Sequence, residues 1–182
     1  MDAFETIVAE IAARQGYWVR QSVWVDLTEE DRQLLGGARS TNLRRINLDV
    51  VGYNSRDNEV LVIECKSFLD SPGVRYQSFV EGGAHAGLYK LFTNPTWREV
   101  VLNRLRAHLE PRCAPGFTFT LCLACGNIAV GDEPALIEHF ARNSWCLWTP
   151  RWLRQRLVEM KQSRYENNLA MITAKLLLRN QP

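Results

Sequence analysis

The sequence predicts an α/β protein, a mixed central sheet flanked by helices with further helices at its C-terminal end. Three observations carry this. Apolar residues recur at helical spacing in several well-capped segments. Runs of β-branched and aromatic residues, bounded by turn residues, separate them. A long helical connection between two apolar strands implies a parallel pair inside an otherwise antiparallel sheet.

Taken in order, Asp2 and Glu5 form a capping-box pattern ahead of Phe4, Ile7, Val8, Ile11 and Ala12, and Gly16 stops that helix. Residues 17–25, with Tyr17, Trp18, Val19, Val23, Trp24 and Val25, form a strand. A short helix follows Thr28, and 36–41 reads as a mobile loop, with Arg39, Arg44 and Arg45 in and after it. Strands at 46–53 and 60–66 are joined by the turn residues Asn54, Ser55, Arg56, Asp57 and Asn58. Ser71, Pro72 and Gly73 open a helical stretch that runs into Gly82 and Gly83. Asn94 and Pro95 start a clearer helix, and 117–124 is an apolar run suited to a buried strand. A helix at 134–142, a strand at 145–148 and helices at 150–160 and 165–178 complete the order.

Composition narrows the class. The chain has 182 residues, 46% of them hydrophobic, which excludes intrinsic disorder, and only 11 Gly and 7 Pro, which excludes collagen-like sequence. That length suits one domain over 1–182, with a core of about 2–148 and C-terminal helices at 150–179. There is no long apolar run for a membrane span, the acidic start is unlike a signal peptide, and the five cysteines read as reduced thiols. A cytoplasmic protein is expected. Charge is uneven: residues 1–81 carry 9 Lys/Arg against 13 Asp/Glu, and residues 142–182 carry 8 against 2. A basic third is a soft pointer to a polyanion, with a solvated helix face the plainer account.

The chemistry concentrates on two neighbouring strands. Asp49 is flanked by Leu48 and Val50, where an unpaired carboxylate would be costly. Glu64 and Lys66 stand two apart at the end of the next strand and so share a face, and the hairpin can bring Asp49 beside them. Asp49, Glu64 and the Cys65 backbone carbonyl offer hard oxygen ligands for Mg²⁺, with Mn²⁺ as a substitute. A cation there would activate water and offset charge growing on phosphorus, and Lys66 would orient the water or stabilise the transition state. The plain alternative is a solvated ion pair and an inert Asp at the strand edges.

Leu48-Asp49 followed by Glu64-Cys65-Lys66 resembles the signature of the PD-(D/E)XK nuclease superfamily, the restriction-endonuclease-like fold. The helix, three-strand meander, helix and strand are similar to its αβββαβ core. Glu5 ahead of Gly16-Tyr17-Trp18-Val19 further resembles the Holliday-junction-resolvase and Mrr-like branches. Leu48 stands where the motif has proline. The resemblance implies a metal-dependent nuclease acting on DNA, with RNA not excluded, and catalytic roles for Asp49, Glu64, Lys66 and Glu5. The alternative is a non-catalytic nucleic-acid-binding or interaction protein on the same fold. For Glu5, second-metal duty and simple capping stand equal. Gln77, Arg44, Arg45 and Arg75 are candidates for contacts to nucleic acid, with a surface glutamine the plainer account of Gln77. A homodimer is open by analogy with other nucleases of the fold, Leu169, Ile172, Leu176 and Leu177 packing on the core or on a second copy.

Other signals are weaker. Cys122 and Cys125 have zinc-like spacing but lie in a strand without a second pair. His85, His108 and His139 are scattered. Trp145, Trp148 and Trp152 beside Arg151, Arg154 and Arg156 form either a stacking surface for nucleic acid or anchors for a helix.

Overall fold

The computed structural model describes residues 2–36, 43–164 and 166–178. The expected loop at 36–41 therefore falls almost wholly outside the described residues, Arg39 included. Five strands form one sheet in the order β1-β2-β3-β4-β5: Trp18–Asp26, Arg45–Asn54, Glu59–Lys66, Thr118–Cys125 and Cys146–Trp148. The pairs β1–β2 and β2–β3 are antiparallel, and β3–β4 is parallel as expected. The β4–β5 pair is also parallel, which corrects the expectation of one parallel pair only. Its cause is the helix α5 (Glu133–Arg142), which carries the chain back along the sheet before β5 begins.

Each face of the sheet is covered. On one side α1 (Ala3–Arg14) lays Val8, Ile11 and Ala12 on Val50, Leu61, Ile63 and Cys122. Its start follows the sequence closely: Asp2 caps Phe4 N at 2.8 Å, and both halves of the capping box form. On the same side lie α6 (Pro150–Gln162) and α7 (Leu169–Leu178). The α7 face that packs is Ala170, Met171 and Ala174, Ile172 is half-buried, and Leu169 and Leu176 are exposed, so these two do not pack on the core. Trp148 stacks on Trp152 at 4.6 Å and seats α6 on the sheet.

The other face carries α4 (Pro95–Leu109), α5 and the segment leading into them, over Val23, Val25, Ile46, Leu48, Val60 and Val62. Here the expected helix after Gly73 is reduced to one 3₁₀ turn, Tyr76–Phe79, followed by a second turn, Ala86–Tyr89, and the four-residue α3, Lys90–Thr93. Phe79, Phe92, Phe140, Trp145 and His139 form an aromatic cluster beneath it, which places Trp145 and His139 in packing. A last small helix, α2 (Glu29–Leu34), is held to α4 by Arg104, whose Nε and Nη2 donate to Asp31.

One irregularity shapes the site. Val19 packs on the α1 side, but Val23 and Val25 pack on the α4 side, although simple alternation would place all three together. Likewise Leu48 faces α4 and Val50 faces α1. The switch falls at Ser22, whose φ of 51° is left-handed, and at Asp49. These two positions interrupt an otherwise continuous β1–β2 register, between Gln21↔Val50 and Val23↔Leu48. Both strands thus change facing together, and the ladder on either side stays in step. Cys122 and Cys125 belong to opposite cores, so their thiols diverge and do not form one zinc site.

No helix among the described residues is long and apolar enough to cross a membrane. Gly126, just after β4, donates its N–H to Lys66 O at 2.8 Å, and a Cβ there would run into the Ser67 backbone. Gly126→Ala is expected to cost about 1–3 kcal/mol, read as a lower urea midpoint with an unchanged slope.

Candidate active site

The β2–β3 ladder ends at Val50↔Ile63. Beyond that pair β2 continues along β1 to Arg45, while β3 continues along β4 to Lys66. The sheet forks there, and the acids stand in the fork. Asp49 would be the next residue opposite Glu64, but its backbone has left the ladder. Its Oδ2 instead accepts the Cys65 N–H at 2.8 Å, so a carboxylate takes the place of a strand carbonyl. Glu64 and Lys66 project to one face, as alternation requires, and Lys66 Nζ donates to Glu64 Oε1 at 2.5 Å.

Three carboxylates act on one another here. Burial raises the pKa of Glu64, Lys66 lowers it and the negative charge of Asp49 raises it again, for a net upward shift. Glu5 is also raised, by burial first and then by Asp49. The Cys65 thiol is pushed up by burial and by the same acids. Glu5 stands at the start of α1, which Gln21 Nε2 ties to β1 by donating to Glu5 O at 3.2 Å. Its side chain accepts from Asp2 N at 3.5 Å, so it serves the capping box while sharing the field of Asp49. Three acids against one lysine leave the fork short of positive charge.

The fit to a divalent cation can be judged from these groups. Asp49 uses Oδ2 on Cys65 and Glu64 uses Oε1 on Lys66, and among the described residues Asp49 Oδ1 and Glu64 Oε2 accept no hydrogen bond. Among the described residues no three His, Cys, Asp or Glu side chains close on one point. The arrangement is therefore a two-carboxylate site, with the Cys65 carbonyl directly after Glu64 in the chain. It fits Mg²⁺, which is commonly held by one or two carboxylates with water and substrate oxygens completing the shell.

The fork opens into a cavity of about 210 Å³ lined by Ile46, Leu48, Glu64, Leu88, Lys90 and Trp97. Leu88 also walls a neighbouring cavity of about 310 Å³, which includes Arg75 and His85. Arg75 therefore lines the adjoining cavity and not the one that Glu64 lines. Gln77 is exposed on the 3₁₀ turn and lines neither cavity. Arg44 is exposed just before β2, and Arg45 lies 4.5 Å over the Trp24 ring on the β1–β2 arm of the fork. Lys90 and Trp97 were missed from sequence. Lys90 sits in a helix too short to show a period, and Trp97 reads simply as a first-turn residue of α4.

Compared with protein families, with curated proteins and with solved structures, the chain has no match.

The upward shift at Glu64 has a consequence for stability. A carboxyl that holds its proton more tightly when folded favours the fold below its ordinary pKa of about 4.3, and that contribution is lost as pH rises through the higher folded value. Without divalent cations, the stability of the wild type relative to Glu64→Gln is expected to grow as pH falls from 7 towards 4.5. Urea unfolding of both proteins across that range measures it, and a flat or inverted difference would contradict the shift.

Proposed function

We propose that this protein is a metal-dependent nuclease of the restriction-endonuclease-like type that hydrolyses phosphodiester bonds of DNA. The observation that carries the reading is the fork itself, where two carboxylates and a lysine meet beside an open cavity at the point where paired strands part. A divalent cation bound there would supply charge neutralisation and an acidified water. Asp49, fixed by the Cys65 N–H, and Glu64, fixed by Lys66, would hold it. Lys66 would then exchange its carboxylate partner for the attacking water or a phosphate oxygen, placing positive charge where negative charge develops. Glu5 adds to the negative field that draws the cation in. The sequence resemblance at Leu48-Asp49 and Glu64-Cys65-Lys66 supports the same reading, as do the five-strand mixed sheet and the helix ahead of the meander.

The test is cleavage of supercoiled and of single-stranded circular DNA with Mg²⁺ or Mn²⁺. Asp49→Ala, Glu64→Ala and Lys66→Met are each expected to lose at least about 10²-fold in rate. The cation alone is expected to raise the melting temperature of the wild type, by an amount equivalent to about 2.7 kcal/mol at a hundredfold excess over its Kd, and to do less for Asp49→Ala. Full activity in all three variants would overturn the mechanism. Metal binding and DNA binding by a wild type that does not cleave would favour the non-catalytic alternative.

A further inference from the structure

One cation, Lys90, lines the cavity of Glu64, a second, Arg75, lines the adjoining cavity, and neither charge is spent on an ion pair within the described residues. Lys90 lines the cavity that contains Glu64, yet Glu64 is bridged by Lys66. Lys90 Nζ lies instead 4.1 Å over the Trp97 ring, a contact that orients an ammonium without neutralising it. Past Leu88, Arg75 and His85 line the adjoining cavity. All three are exposed, and among the described residues none of them forms an ion pair within 4 Å. Some cations elsewhere pair with carboxylates, as Arg14 does with Glu10 and Glu166 and Arg104 with Asp31, whereas Lys90 and Arg75 are set apart by lining the cavity of Glu64 and the one adjoining it. Two uncompensated cations, Lys90 and Arg75, with the His85 ring beside them, face a negative fork and divide the surface by sign, a cation seat next to an anion track.

We infer that Lys90, with Arg75 and His85 beyond it, binds the backbone phosphates flanking the reacting one in a DNA strand, and that Trp97 positions Lys90 for this. The inference deepens the nuclease reading and rests on it. Lys90 takes the phosphate next to the fork. Arg75 and His85 take the following phosphate, across Leu88. Recognition of this kind is indifferent to base sequence, because the track meets only the sugar–phosphate backbone.

Salt dependence separates this role from a merely structural one. Binding of a fluorescein-labelled single-stranded DNA is measured by anisotropy over a KCl series, without divalent cation, for the wild type, Lys90→Gln, Trp97→Leu and Trp97→Phe. Loss of one phosphate contact is expected to lower the log–log slope by about 0.7 for a single strand, with a similar loss of affinity for oligonucleotides of different sequence. Trp97→Leu is expected to match Lys90→Gln, and Trp97→Phe to restore most of the wild-type slope, since a phenyl ring can still orient the ammonium. Should Trp97→Leu fail to fold, Lys90→Gln, a change at an exposed residue, decides alone. A wild type that cleaves DNA while Lys90→Gln keeps its full slope overturns the track and leaves the nuclease reading standing. A wild type that neither cleaves nor binds DNA overturns both. Binding with the expected slopes but without metal-dependent cleavage keeps the track and overturns the catalytic reading.

Discussion

The hydrogen bond from the Cys65 N–H to Asp49 Oδ2 occupies the place where β2 and β3 cease to pair. A backbone N–H left open at a forked sheet would need an acceptor, and a carboxylate satisfies it with a stronger, charge-assisted bond than a carbonyl could give. The same bond fixes Asp49 between α1 and the Glu64 face, so one interaction both closes the ladder and sets the distance between the acids. The facing switch at Ser22 and Asp49 makes this geometry available, because it turns the two arms of the fork without breaking the β1–β2 register. Ser22 accepts an uncommon left-handed backbone at the one step where both strands must reorient.

Much of this was legible in the sequence, for reasons that can be named. The capping box of α1, the Asn94 cap of α4 and the turn between β2 and β3 are local, and local chemistry determines them. Glu64 and Lys66 share a face because strand side chains alternate. Asp49 was placed beside them by the hairpin, but its bond to Cys65 was not foreseeable, since alternation fails at that residue. The segment between Ser67 and Asn94 was the least legible. It holds its shape through Phe79, Phe92 and Phe140, contacts between residues far apart in the chain, and its turns are too short to carry a period. On α7 the spacing left two faces open, and the one that packs on the core is Ala170, Met171 and Ala174, with Leu169 and Leu176 outside.

The two halves of the candidate site differ in how they are attached to the fold. Asp49, Glu64 and Lys66 stand on strands whose neighbours are fixed by ladder bonds and by buried Val50, Ile63 and Leu123. Lys90 and Arg75 stand on short turns over an aromatic cluster, tied to the rest by a few bonds such as the Tyr76 N–H to Asp132 Oδ2 at 3.0 Å. Asp49, Glu64 and Lys66 are thus held by a strand ladder, and Lys90 and Arg75 by side-chain packing of the crossover on the core.

Fifty-one residues separate the end of β3 from the start of β4, and Lys90, Arg75 and His85 all lie inside that one crossover. The meander bearing Asp49, Glu64 and Lys66 is contiguous in the chain and can assemble from neighbouring strands, whereas β4 must find β3 from a distance, a slower step. During synthesis the acids would therefore be gathered before the cations beside them are in place. The crossover is also the part of the chain free to change length or composition without disturbing a strand register. The placement of the strand acids and the placement of the cations beside them are thus written in separate stretches of sequence and can vary independently.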